Sequence, residues 1–207
     1  MNVAVLSEST ADEAAIRILL GGILGVGVPP VHLNLRSRGW PSVLQVLPSV
    51  LKHLYYRTDT QALVLVVDSN SSPIHTVSHD NQVDQDCRLC RLRQVISQTQ
   101  NYLRQRGDRL PLKTAVGLAV PSIEAWYRCG LDGRVTEAAW ISRMQSTSPP
   151  YSKISLKRDV YGTERPSLLL EEARAVEEAN RLVNNLTLLE NLFSNGFGAL
   201  ARDVRDW

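Results

Sequence analysis

Cysteine is scarce here: three in 207 residues, two of them spaced as Cys87-x-x-Cys90. A disulfide framework of the kind that staples small secreted domains is therefore excluded, and so few thiols suit a reducing compartment. An excess of charge is also missing. The 23 basic and 21 acidic residues leave a net charge of +2, which neither demands nor excludes nucleic acid. Long apolar runs are missing too. The most apolar stretch, residues 16–28, is interrupted by Arg17 and four glycines, so no membrane span is expected there. The N-terminus lacks the basic region of a secretory signal, and a cytoplasmic protein is expected. There is no repeat and no low-complexity tract. Gly21-Gly22-Ile23-Leu24-Gly25 lacks the strand-before, helix-after setting of a phosphate-cradling loop, and no Ser-His-Asp arrangement is plausible.

What is present is a core-forming pattern. Hydrophobic residues make up 43% of the chain, enough for one domain with or without an extension. Residues 2–6 read as a short buried strand. Thr10-Ala11-Asp12-Glu13 then reads as a capping box, with Thr10 capping and Glu13 reaching back, ahead of a helix that ends at Gly21-Gly22 or at Gly25. Residues 31–35 are a second strand candidate. Pro41 opens a helix to about Arg57, with Pro48 as a break or kink. The run ALVLVV at residues 62–67 is the clearest strand, apolar on both faces as a central parallel strand is. A helix over 86–106, a strand over 114–120 and a helix begun by Pro121 follow. Beyond Gly130 the pattern is helical, over 134–145, 152–161 and 167–192. Strands alternating with helices predict an α/β fold: a mostly parallel sheet with helices on both faces, residues 1–130, and a helical extension packed on it, residues 131–207.

In an open α/β sheet the ligand crevice lies beyond the carboxyl ends of the strands. Glu8 follows the first strand, Asp68 ends ALVLVV, and Glu124 lies four residues past TAVGLAV. Three carboxylates at one end of a sheet repel, by roughly 4 kcal/mol per pair at 4 Å and an effective dielectric of about 20. Such a cluster calls for a cation or shared protons, and oxygen ligands suit Mg²⁺ or Mn²⁺. Each acid alone also has a bland explanation, as a solvated group or a partner of a helix N-terminus.

The segments Glu8-Ser9-Thr10-Ala11-Asp12-Glu13, Asp68-Ser69-Asn70 and Ile123-Glu124-Ala125-Trp126 resemble the Toprim-like proteins. The resemblance is greatest to a bacterial Toprim-like family whose genes often neighbour ATPases in defence operons. Leu156-Lys157-Arg158-Asp159-Val160-Tyr161-Gly162 and Gly196-Phe197-Gly198-Ala199-Leu200 resemble that family's tail, so the likeness spans nearly the whole chain. Toprim domains of topoisomerases, primases and overcoming-lysogenisation-defect nucleases bind divalent metal with a glutamate and an Asp-x-Asp pair. The resemblance implies that Glu8 matches the glutamate, Asp68 the first aspartate, and Glu124 the acid of the family's Glu-Ala-Trp-like motif. Asn70 stands where the second aspartate would be, which removes one negative charge and puts catalysis in doubt. The implied function is Mg²⁺- or Mn²⁺-dependent cleavage of DNA or RNA in phage defence beside an ATPase partner.

A second cluster follows Asp68. His75-x₃-His79, seven residues, then Cys87-x₂-Cys90 place two His and two Cys within 16 positions, which suits tetrahedral zinc with the usual ligand order reversed. On a helical wheel both cysteines point away from the face formed by Leu89, Leu92, Ile96, Thr99 and Leu103, so they want a partner other than the core. A thioredoxin-type redox pair is a poorer fit, because no strand leads into them. His32 and His53 have no evident partner. Seven basic residues between Arg88 and Lys113, among them Arg91, Arg93, Arg104, Arg106 and Arg109, could meet phosphates, as could Lys153, Lys157 and Arg158; a solvated helix face explains them equally well. Trp40 and Trp126 could stack bases but are more often core residues. Lys157 or Arg158 could hold the substrate. The rival expectation is a catalytically degenerate adaptor or sensor that binds a partner through Leu168, Leu169, Leu182, Leu186, Leu188, Leu189 and Leu192.

Overall fold

The computed structural model describes residues 1–31, 33, 39–104, 109–144 and 151–207. Three strands form one parallel sheet in the order β1-β2-β3: β1 is Val3–Leu6, β2 Ala62–Asp68 and β3 Lys113–Ala119. Side chains alternate across it. Val3, Val5, Val64, Val66, Ala115 and Ala119 enter one core, while Ala4, Leu6, Leu63, Leu65, Val67, Val116 and Leu118 enter the other. Both faces are thus buried, which is why the strands read as unbroken apolar runs.

After β1, helix α1 (Thr10–Leu24) packs on the first face. Its cap is Ser9, not Thr10: the Ser9 hydroxyl accepts from the Asp12 N–H at 3.1 Å, and Thr10 donates instead to Glu172. Of the two proposed ends, Gly25 is the real one. It takes a left-handed φ of 68°, which glycine adopts without a Cβ clash. Helix α2 (Gly39–Arg57) covers the second face and runs through Pro48 without ending. The short α3 (Val77–Asn81) precedes α4 (Arg88–Arg104), which joins α2 on that face. Of the strand expected over 31–35, Val31 and Leu33 are described and neither lies in a strand. Residues 32, 34 and 35 lie outside the described residues, as do Arg106 and Gln145 at two expected helix ends.

Helix α5 (Ile123–Tyr127) starts two residues after Pro121, with Ser122 as its N-cap residue. The later helices are α6 (Glu137–Met144), α7 (Lys153–Tyr161), α8 (Leu168–Val183), α9 (Leu186–Leu192) and α10 (Phe197–Arg205). The single helix expected over 167–192 is broken at Asn184 and Asn185, residues that favour caps over helix interiors. Ala175, Ala179, Leu182, Leu189, Phe193, Phe197 and Leu200 share one core with α1 and the sheet. A Cβ at Gly196 would lie 2.2 Å from the Leu118 carbonyl oxygen, so glycine is what lets α10 begin against β3.

Several basic residues have internal uses. Arg109 donates to the carbonyls of Leu54, Tyr55, Thr58 and Thr60, closing the end of α2 where backbone acceptors are otherwise orphaned. Lys113 donates to the Trp207 carbonyl. Trp126 is fully buried edge-to-face against Phe197, so it is not a base-stacking platform. Leu182 and Leu189 are core, whereas Leu168, Leu169 and Leu188 are exposed. Among the described residues no helix is long and apolar enough to cross a membrane.

Candidate functional site: a carboxylate crevice and a His/Cys cluster

The parallel sheet delivers the carboxylates together. Beyond β1 the chain turns at Ser7, whose hydroxyl donates to the Val66 carbonyl at 2.7 Å, and Glu8 then reaches across to β2. Glu8 Oε1 accepts the Asp68 N–H at 3.0 Å. Asp68, the last residue of β2, uses Oδ1 to accept the Ile123 N–H at 3.0 Å. It therefore caps the first turn of α5 from a neighbouring strand, which is why that helix begins at Ile123 without a side-chain bond from Ser122. The exits of β2 and β3 are tied by Ser69 N–H to the Ala119 carbonyl at 2.7 Å and Asn70 N–H to the Pro121 carbonyl at 2.8 Å. Asn70 has a left-handed φ of 50°, a conformation in which Asn and Asp are enriched.

Glu8, Asp12, Asp68, Glu124 and Glu171 line one cavity of about 170 Å³ together with Lys153, Lys157 and Tyr161. Glu124 is 5% exposed, and its Oε2 has no hydrogen-bond partner among the described residues. Among the described residues, three cations face these acids. Arg88 donates to the Asp68 carbonyl at 2.7 Å and lies 3.5 Å from Glu8 Oε1. Lys153 bonds Asp68 Oδ2 and, at 2.9 Å, Asn70 Oδ1. Lys157 lies 3.7 Å from Glu124 and 3.8 Å from Glu171. Arg158, by contrast, pairs with Glu164 at the surface, so of the two residues expected to face the substrate only Lys157 lines the crevice.

Burial pushes the Asp68 carboxyl up to about 7; Lys153 opposes the rise, and Glu124 and Glu8 add to it. Asp12 is raised as well, by burial first and then by Asp68. For Lys153 burial disfavours the charge, but Asp68, Glu124 and Glu8 outweigh it, and its pKa is raised. Asp12 and Glu171 are the members that sequence reading missed, and Lys153, read as a possible phosphate contact, was not expected as the partner of Asp68. Asp12 had been absorbed into a capping box, and Lys153 lies 85 positions from its partner Asp68.

The second cluster assembles as its spacing suggests. One donor atom from each of His75, His79, Cys87 and Cys90 lies within 4.8 Å of all the others, so the four could hold a metal ion. His75 Nδ1 is 3.4 Å from Cys90 Sγ and 3.9 Å from Cys87 Sγ. Bond lengths of about 2.3 Å to sulfur and 2.0–2.1 Å to nitrogen give a tetrahedral edge of about 3.6 Å, between those values. Cys87 and Cys90 are 0% and 5% exposed and share a core with Leu89, Leu92 and Ile96, so they do not turn away from that face as the helical wheel predicts; burial raises the Cys87 thiol to about 11. His79 Nδ1 is buried without a hydrogen-bond partner among the described residues. Behind the cluster, Arg93 approaches His75 Nε2 at 3.3 Å, and Asp84 lies 3.5 Å from His79 Nε2. Trp40 lies under Arg88, 4.9 Å from ring centre to guanidinium carbon, and under Arg91 at 5.6 Å.

One pH dependence arises away from both clusters. Glu137 is buried, accepts the Asn195 N–H at 2.8 Å, and is pushed by burial up to about 7. An acid raised on folding binds more protons in the native state, so its contribution to stability falls as pH rises from about 4.5 to 7. The full span is about 3 kcal/mol. Asp68 acts in the same direction. Urea unfolding of metal-free protein is expected to show stability decreasing from pH 5 to 8, and Glu137→Gln should flatten that decline by about 3 kcal/mol. A decline of equal steepness in the variant would show that Glu137 is not its source.

A scan of protein-family models, a search of curated proteins and a search of solved structures each return no match to this chain.

Proposed function

We propose that the crevice at the carboxyl end of the sheet is a divalent-cation site that hydrolyses a phosphodiester, on a Toprim-like domain. The observation that carries the reading is Glu124 Oε2, a buried carboxylate oxygen without a partner on the wall of an otherwise oxygen-rich cavity. A buried anion in that state is costly unless a cation completes it. Glu8, Asp68 and Glu124, with the amide oxygen of Asn70, offer the hard oxygen donors that suit Mg²⁺ or Mn²⁺. Such an ion would lower the pKa of water and offset charge on the phosphate. The chain supplies the rest. The Ile123 N–H and the Asp68 N–H hold Asp68 and Glu8 in fixed orientations, so the site needs little reorganisation. Arg88 and Lys157 bring positive charge to where a phosphate would enter. The motif resemblance adds nucleic acid as substrate, and phage defence beside an ATPase as setting. Purified protein incubated with Mn²⁺ and single- or double-stranded DNA or RNA is expected to cleave at least one of them. Intact substrate after prolonged incubation with metal, ATPase partner and ATP would end the nuclease reading.

The His/Cys cluster is in this proposal a structural zinc site. Two soft thiolates from buried cysteines with two half-buried imidazoles fit zinc better than the hard ions of the crevice.

One observation favours the adaptor alternative. Asp68 already has a cationic partner in Lys153, and Asn70 supplies no charge. Metal-independent association with a partner protein, without cleavage, would support it.

A further inference from the structure

Lys153 occupies an unusual place for a surface-helix lysine. It opens α7, whose cap Ser152 forms a reciprocal capping box with Ser155, and this fixes where the helix starts. From there its ammonium spans Asp68 Oδ2 and Asn70 Oδ1. Those are two of the oxygens that a divalent ion in the crevice would take. The other Asp68 oxygen is already committed to the Ile123 N–H.

We propose that Lys153 is a placeholder cation. It neutralises Asp68 while no divalent ion is bound, is displaced when one binds, and then meets the anionic substrate at the mouth of the crevice. The inference rests on the reading of the crevice as a divalent-cation site. An ammonium bonded to both oxygens and an ion coordinated by both cannot coexist. Of the three crevice cations, Lys153 is the one able to leave. Its side chain is 38% exposed, against 14% for Arg88 and 28% for Lys157. Arg88 is held between Glu8 and the Asp68 carbonyl, and Lys157 between Glu124 and Glu171. A lysine stem is flexible and its ammonium is readily hydrated, so the outward swing costs little. Glu124 Oε2 supplies the independent sign that a ligand is wanted, because Lys153 does not satisfy it. Binding is therefore ordered: the ion enters first, and only then is Lys153 released to hold a phosphate.

Two measurements test this. Mn²⁺ is titrated calorimetrically into wild type, Lys153→Met and Lys153→Arg between pH 7 and 8.5, with thermal melts to establish that each is folded. Lys153→Met is expected to bind Mn²⁺ at least tenfold more tightly at pH 8.5. Its affinity for an oligothymidylate in the presence of Mn²⁺ should fall at least fivefold. Lys153→Arg should stay near wild type for Mn²⁺. In wild-type protein, acylation of the Lys153 amine, followed by mass spectrometry, should rise several-fold on adding Mn²⁺. If wild type binds Mn²⁺ but the Met variant binds no tighter, or Lys153 labelling does not change, the placeholder role is overturned and the cation site stands. If neither protein binds Mn²⁺, the reading of the crevice falls and the placeholder with it.

Discussion

Mn²⁺ binding is expected to be lost from Glu8→Gln and from Asp68→Asn, and strengthened in Asn70→Asp. The first two changes are nearly isosteric. The new amides still offer an oxygen to the Asp68 and Ile123 N–H groups that the carboxylates accept now. What they remove is charge from a set of acids in which burial, with a smaller push from Glu124 and Glu8, already holds Asp68 near 7. Apo stability should change little, because the relief of repulsion is offset by the ion pair lost to Lys153 or Arg88, while metal binding and any cleavage disappear. Asn70→Asp adds a carboxylate at a left-handed position that aspartate also tolerates. One more unit charge is worth roughly 4 kcal/mol at 4 Å and an effective dielectric of about 20. Lys153 would grip that carboxylate as well, so the net gain in affinity is about tenfold, or ~1.4 kcal/mol. Calorimetry on the four proteins decides the matter. Absence of binding in wild type, with none gained by Asn70→Asp, would transfer the protein to the adaptor reading.

Cys87→Ser is expected to release one zinc per chain and to lower unfolding free energy by about 3 kcal/mol or more. That is a fraction of the ~10–16 kcal/mol by which zinc stabilises zinc-finger peptides, because here the ion clips a loop onto an existing core. The Cys87 thiol, held near 11 by burial, must lose its proton to become a ligand. Zinc binding should therefore release protons, measurable as a dependence of the binding heat on buffer ionisation. Elemental analysis of carefully reconstituted wild type that finds no zinc would sink this idea. So would a wild-type melting temperature that a zinc chelator leaves unchanged.

The strands were legible because both faces of this sheet are covered: ALVLVV and TAVGLAV have nowhere to be polar. The same feature made the positions of Glu8, Asp68 and Glu124 legible, since parallel strands bring their carboxyl ends together. The His/Cys spacing was readable because its four residues lie within 16 consecutive positions, from the loop before α3 to the first turn of α4. What could not be read depends on long-range packing. Lys153 meets Asp68 only because α7 folds back over the strand ends. Arg109 looked like part of a phosphate-binding patch, yet its four acceptors are carbonyls about 50 positions earlier. The Ser9 cap was missed because Thr10, one residue on, offers an equally good hydroxyl. The short α3 has no apolar periodicity to reveal it.

Cys87 and Arg88 are joined by a single peptide bond, and they belong to different sites. Under the proposal made above, the first would take a soft ion on thiolate and imidazole and the second a hard ion on oxygen. Pairing Cys87 with Cys90 as a disulfide would strip the first site of two ligands and pull on the first turn of α4. Arg88, which bridges Glu8 and the Asp68 carbonyl, is the next residue after Cys87, so one peptide bond separates the soft donor set from the hard one.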